Sequence, residues 1–230
     1  MAIEEAVHLV TDDSLRGRLR FMEGLYGLTG YKRQKTKVAI VSTMSNGVGS
    51  LEQRVLPWMQ YHVEMGVTHF YVFYDGEDPK AVEALSSLPF VTVLTAKPEL
   101  GADDEVQTRY AEHMGHKHSY SSSDGSVEKS NELLMTKQTF AMNEGVRAGH
   151  ADGMDWLLHI DSDELFVPRA HASIPQSFEA VDAGEPTIRF MNLEAQLEAG
   201  DVASPFLQVT LFRNHQYLTT KESHHYRSTF

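Results

Sequence analysis

Cysteine is absent from the 230-residue sequence, which excludes disulfides, thiol nucleophiles and cysteine-ligated zinc. That absence suits a reducing compartment, and the expected setting is the cytoplasm or a soluble domain of a larger protein. Long apolar runs are missing too. No segment approaches the ~20 residues that a membrane-spanning helix needs. Glu4 and Glu5 interrupt the stretch Ala2 to Val10, where a secretory signal would require an apolar core. An excess of positive charge is also lacking: 20 Lys and Arg stand against 32 Asp and Glu, for a formal charge of −12. Such a chain has no broad basic stripe with which to displace counterions from nucleic acid, so no nucleic-acid partner is expected. A local basic pocket for a diphosphate remains compatible with an acidic whole.

What is present is ordinary for a globular protein, at 41% hydrophobic and 23% charged residues. The expected organisation is an N-terminal helical extension over 1–36 and a single domain over 37–230. Val38-Ala39-Ile40-Val41 is apolar on both faces, as a buried parallel strand should be. A Gly/Ser/Asn turn over Ser45 to Ser50 follows. Leu51, Val55, Trp58, Met59, His62 and Met65 then recur at helical spacing, and Gly66 ends that helix. Phe70 to Tyr74 reads as a second strand, Pro79 to Leu88 as a helix and Phe90 to Leu94 as a third strand. This alternation predicts an α/β fold with a mostly parallel central sheet flanked by helices. Ligands of such sheets sit at the carboxyl ends of the strands.

From Ala96 to about Ser130 the pattern breaks into what reads as a long polar loop, with room for a short helix inside it, containing His113, His116 and His118. A helix resumes over Asn131 to Ala148, with Met135, Thr139, Met142 and Val146 along one face. Trp156 to Ile160 forms a fourth strand, and Thr187 to Met191 and Phe206 to Phe212 look like further strands.

The fourth strand runs directly into Asp161-Ser162-Asp163-Glu164. If the chain stays extended there, Asp161 and Asp163 point to one face. Two ionised carboxylates ~4 Å apart repel by roughly 4 kcal/mol at an effective dielectric near 20. A shared proton, an Arg or Lys, or a divalent cation must relieve that repulsion. Oxygen-only ligands favour Mg²⁺ or Mn²⁺ over zinc, and such an ion takes substrate phosphates as further ligands. The plain alternative is a turn in which one of the two aspartates caps a helix.

Leu157 to Phe166, with Asp161-Ser162-Asp163-Glu164-Leu165-Phe166 at its end, resembles the Asp-x-Asp-Glu-Phe signature of GT-A glycosyltransferases, especially the family 92 group and its family 2-like relatives. Leu56-Pro57-Trp58-Met59-Gln60-Tyr61-His62 and Gly66 to Asp75 are similar to that family's first helix and second strand. Lys137-Gln138 to Asn143 is similar to its Gln-containing helix. Together these stretches cover roughly Val38 to Phe166. The match departs after strand one, where Asn46 in a Gly/Ser turn and then Glu52 replace the usual Asn-Glu, and the family's cysteines are missing.

The resemblance implies transfer of a sugar from a nucleoside diphosphate sugar, of the UDP type, to a glycan or other hydroxyl acceptor. It implies Mn²⁺ or Mg²⁺ on Asp163, with Asp161 on the ribose or a metal-bound water, and His225 or its neighbour His224 as a late ligand. Thr43 and Met44 would line the base pocket, Asp75 would meet base or ribose, and Lys137 and Gln138 would reach the donor. Trp58, Tyr61 and His62 are expected to be helix core. A general base for an inverting reaction is sought among Glu194, Glu198, Asp201 and Glu222, with Asp201 and Glu222 the named candidates. Two other readings stay open: a phosphohydrolase of the haloacid dehalogenase type, and a non-catalytic nucleotide-sugar-binding module.

Overall fold

The computed structural model describes residues 35–118, 127–168 and 173–179, with 181, 184, 187–190, 192–193, 195–196 and 211–212 beyond them. The chain divides into two compact units, Met1–Ala180 and Val181–Phe230.

In the first unit, strands β1 (Val38–Met44), β2 (His69–Tyr74), β3 (Val91–Leu94) and β4 (Trp156–His159) form one sheet in the order β3-β2-β1-β4. Every pairing is parallel. The expected α/β class with a parallel sheet flanked by helices is therefore what the chain adopts. Val38 to Val41 and Phe70 to Val72 have no exposed surface at all, because helices cover both faces and leave no polar side to the strands.

Helix α1 (Leu56–Glu64) continues from a short α-helical turn, Val48–Ser50, and a π-helical segment, Leu51–Val55. The expected turn over Ser45 to Ser50 is thus shorter than read, since the helix has begun by Val48. In the π segment the Leu56 N–H reaches back to the Leu51 carbonyl. The widened turn lies just ahead of Pro57, whose ring has no N–H and would crowd the carbonyl four residues back. Gly66, at φ 95°, ends the helix as the sequence suggests. Trp58 of α1 meets Phe70 edge-on, at 5.5 Å between ring centres.

Helix α2 (Pro79–Ser86) precedes β3 and is capped by the Asp78 carboxylate on the Lys80 N–H. The stretch read as a long loop holds a 15-residue helix among its described residues, α3 (Asp104–His118). Its sequence is too polar to show periodicity. Asp103 starts it by accepting the Glu105 N–H at 2.8 Å, and Val106, Tyr110 and the His113 ring anchor it on Phe73 and Phe140.

Helix α4 (Val127–Ala151) lies across β1 and β2 with the face opposite to the expected one. Met135, Met142 and Val146 are exposed, at 60%, 37% and 54%. The buried positions are instead Thr136, Phe140, Ala141, Glu144 and Gly145. Close approach explains the inversion, for a Cβ on Gly145 would lie 2.6 Å from Val41 Cγ2. Gly145 lets the helix sit close on β1, where a larger side chain would clash. Buried Glu144 is neutralised by Arg109 of α3, with N–O distances of 2.9 and 2.7 Å.

Helix α5 (Ile174–Glu179) packs Phe178 against Trp156 and Phe166. In the second unit, β5 (Ala195–Gln196) pairs antiparallel with β6 (Leu211–Phe212). Residues 187–190 are not strand, and 206–210 fall outside the described residues, as do residues 1–34.

Candidate functional site

Strand order reverses at β1: β2 and β3 follow on one side of it, and β4 returns on the other. The loops that leave β1 and β4 therefore part at the carboxyl edge, where open parallel sheets place their ligands. Thr43 and Met44 end β1 there. Met44 is buried, 2% exposed, and its carbonyl takes the Asp75 N–H at 2.8 Å. The hydroxyls of Ser42 and Thr43 are buried with no hydrogen-bond partner among the described residues. Alternation puts them on opposite faces.

The loops after β1 and β2 are tied together. The Tyr74 hydroxyl donates to the Asn46 carbonyl at 3.2 Å and accepts the Asp78 N–H at 3.3 Å. The Asp78 carboxylate also accepts the Val48 N–H at 2.8 Å, a bond that leads in holding its pKa below the usual range. Gly76 makes the crossing possible, because a Cβ there would fall 2.9 Å from the Ser45 carbonyl and onto the Tyr74 hydroxyl.

Two consecutive residues of α4 reach the ends of two different strands. Lys137 Nζ lies 2.6 Å from Asp75 Oδ2, just after β2, with both side chains about a quarter exposed (23% and 24%). Gln138 Nε2 donates to Asp161 Oδ1 at 3.1 Å, just after β4. Four residues singled out from the sequence thus meet as two pairs at one edge. Burial works to lower the Lys137 pKa, but the Asp75 hydrogen bond and charge outweigh it, and the net shift is upward. Tyr110 of α3 stands near this pair, and burial pushes its hydroxyl pKa up. Sequence reasoning missed Tyr110 because α3 read as loop; its spacing of four from Val106 was the available signal.

The acidic segment does not stay extended. The Glu164 N–H bonds to the Asp161 carbonyl at 3.0 Å, which closes a turn through Ser162 and Asp163. The Glu164 carboxylate reaches back to the Asp161 N–H at 3.2 Å. Ser and Asp favour such turns because their side chains compete for backbone bonds. Asp163 is exposed and Asp161 half-buried. The turn of the plain alternative is therefore present, but no helix starts there for either aspartate to cap.

Trp58 and His62 are fully buried, the core positions expected of them, yet both also bond to the segment after the turn. Trp58 Nε1 donates to the Glu164 carbonyl at 2.7 Å, and the Tyr61 hydroxyl to the Phe166 carbonyl at 3.0 Å. His62 lies between the Trp58 carbonyl, 2.8 Å from Nδ1, and the Phe166 N–H, 3.4 Å from Nε2. Only one neutral tautomer suits both partners: Nδ1 carries the proton and Nε2 accepts.

His113 contacts the Thr136 carbonyl at 3.1 Å rather than the acidic turn. Among the described residues no group of three or more His, Asp or Glu side chains is placed to hold a metal ion. No helix of the described residues is long and apolar enough to cross a membrane. Glu194, Glu198, Asp201, Glu222, His224 and His225 lie outside the described residues.

Two Arabidopsis thaliana proteins named glycosyltransferase-like are similar to this chain. One is 29% identical over 183 residues, which are 78% of this chain and 38% of that protein. The other is 26% identical over 183 residues, 78% of this chain and 34% of that protein. The chain spans little more than a third of the length of these curated relatives. No family model matches the sequence, and no solved structure does.

Proposed function

We propose that this chain binds a nucleoside diphosphate sugar, of the UDP type, at the carboxyl edge of the sheet and transfers its sugar to a hydroxyl of a glycan or another acceptor. The observation that carries the reading is the meeting of Asp75, Asp161, Lys137 and Gln138 at the point where strand order reverses. The names of the two relatives agree with it.

The donor set suits Mn²⁺ or Mg²⁺. Asp161 and Asp163 offer carboxylate oxygens, and hard cations of this kind complete their shell with water and substrate phosphate rather than with a full protein cage. A bound ion of this kind supplies Lewis-acid stabilisation of the leaving diphosphate, worth several kcal/mol. The chain's own residues do the rest. Gln138 fixes Asp161 through Oδ1 and leaves Oδ2 to a ligand. Lys137 brings a positive charge beside Asp75. Asp75 presents an acceptor to base or ribose, and the unpartnered Thr43 hydroxyl stands at the end of β1.

Thermal-shift titration with UDP-, GDP- and CMP-sugars, with and without Mn²⁺, tests the proposal. Stabilisation by a UDP-sugar is expected only with the metal, and Asp163→Ala should abolish it while leaving the melting temperature of the free protein unchanged. Metal-independent binding that survives Asp163→Ala would sink the metal assignment. Release of phosphate from an aryl phosphate would replace sugar transfer with phosphohydrolase chemistry.

A further inference from the structure

Residues 160–168 contain no helix or strand, yet they carry the acidic turn. Irregular backbone keeps one position only if its polar groups find fixed partners. The turn closes on itself through Asp161 and Glu164, which sets its shape but not its place. Beyond it, the Glu164 carbonyl is taken by Trp58, the Phe166 N–H by His62 and the Phe166 carbonyl by Tyr61. Trp58, Tyr61 and His62 stand at i, i+3 and i+4 of α1, so one helix face presents all three.

We infer that Tyr61 and His62 are positioning residues for the acidic turn: with Trp58 they hang the Glu164–Phe166 backbone from α1 and thereby fix Asp161 and Asp163 over the strand ends. His62 is the hub. Its Nδ1–H is spent on the Trp58 carbonyl, one turn back on the same helix, and this leaves the Nε2 lone pair as the acceptor for the Phe166 N–H. An apolar residue of similar size would fill the space but remove this acceptor. Glutamine would place an amide oxygen near Nε2 and could still accept from the Phe166 N–H.

The ligand-binding half of the test rests on the proposed donor site; the other half does not. Hydrogen exchange read by mass spectrometry over residues 160–167, and affinity for UDP with Mn²⁺ by calorimetry, are compared in wild type, Tyr61→Phe, His62→Leu and His62→Gln. Loss of one such bond corresponds to about tenfold. His62→Leu should speed exchange over 160–167 and weaken UDP–Mn²⁺ by about that factor, with β1 exchange unchanged. His62→Gln should restore both, and Tyr61→Phe should shift them in the same direction as His62→Leu. The inference falls if exchange over 160–167 stays at the wild-type rate, if it rises equally in β1, or if His62→Gln behaves as His62→Leu. Should His62→Leu fail to fold, Tyr61→Phe decides alone. If the wild type does not bind UDP with Mn²⁺, the donor site is wrong while the exchange measurement still judges the positioning.

Discussion

At its amino edge the sheet is closed by bonds that nearly all start or end on strand-end backbone. The Asp155 and Trp156 N–H groups share the Lys37 carbonyl, and the Lys37 N–H returns to the Asp155 carboxylate at 2.8 Å. The Thr68 N–H and hydroxyl both reach the Val38 carbonyl, and Tyr71 donates to Asp152 at 2.6 Å. At the carboxyl edge the backbone bond from Asp75 to Met44 is joined by side chains that cross between elements: Lys137 to Asp75, Gln138 to Asp161, Tyr74 to Asn46. A backbone bond is fixed by the fold, whereas a side-chain pair can open to admit a ligand. The difference separates an edge that holds the sheet together from one that can exchange partners.

The comparison breaks most readily at the helix that spans both edges. Gly145→Leu would drive a side chain into Val41, and overpacking of this kind costs about 3 kcal/mol at its upper range. Both edges should loosen together, seen as a lower denaturant midpoint with faster exchange in β1 and at residues 160–167. If only one edge responded, α4 would not be their common support.

Acid provides the next largest effect. Burial lowers the His62 pKa from 6.5 to about 4, against the opposing Trp58 carbonyl bond. The folded value lies below the unfolded one, so the stability tied to neutral His62 is intact above pH 6.5 and is lost as pH falls toward 4. Roughly 2.5 units correspond to about 3 kcal/mol as an upper figure. Urea unfolding from pH 7 to 4 should show this slope, and His62→Gln should flatten it. His69, where β2 begins at the amino edge, is also lowered by burial. His69→Gln should flatten the slope less.

The smallest expected effects sharpen the contrast. Tyr71→Phe removes the bond to Asp152 and should cost about 1 kcal/mol of stability without touching UDP–Mn²⁺ affinity. Lys137→Met should cost a similar amount, about 1 kcal/mol for a half-screened pair, and should also weaken that affinity. Equal effects of the two variants on affinity would remove the distinction between the edges.

The strands were legible because unbroken apolar runs such as Val38 to Val41 and Phe70 to Tyr74 have one use in a parallel sheet. The site was legible in part, as Asp75, Lys137, Gln138 and Asp161 are polar residues at or facing strand ends. Hydrophobic spacing misplaced the buried face of α4, because it weights Met135 and Met142 above Ala141 and Gly145, while close packing rewards the small residues. It also left α3 as no more than a short helix within a loop, because its contact with the core rests on two apolar residues, the His113 ring and an ion pair to Glu144. The turn at Asp161 could not be read from strand periodicity, since it depends on Glu164 folding back three residues.

Lys137 and Gln138 are neighbours on one rigid rod, yet their tips attach to strands on either side of β1. Any movement of the helix itself shifts both tips. Rolling α4 to release Asp75 would also alter its hold on Asp161, so a ligand that moved the helix from one end would be felt at the other. Cooperativity between the two halves of a single ligand would then follow from the adjacency of two residues in the chain.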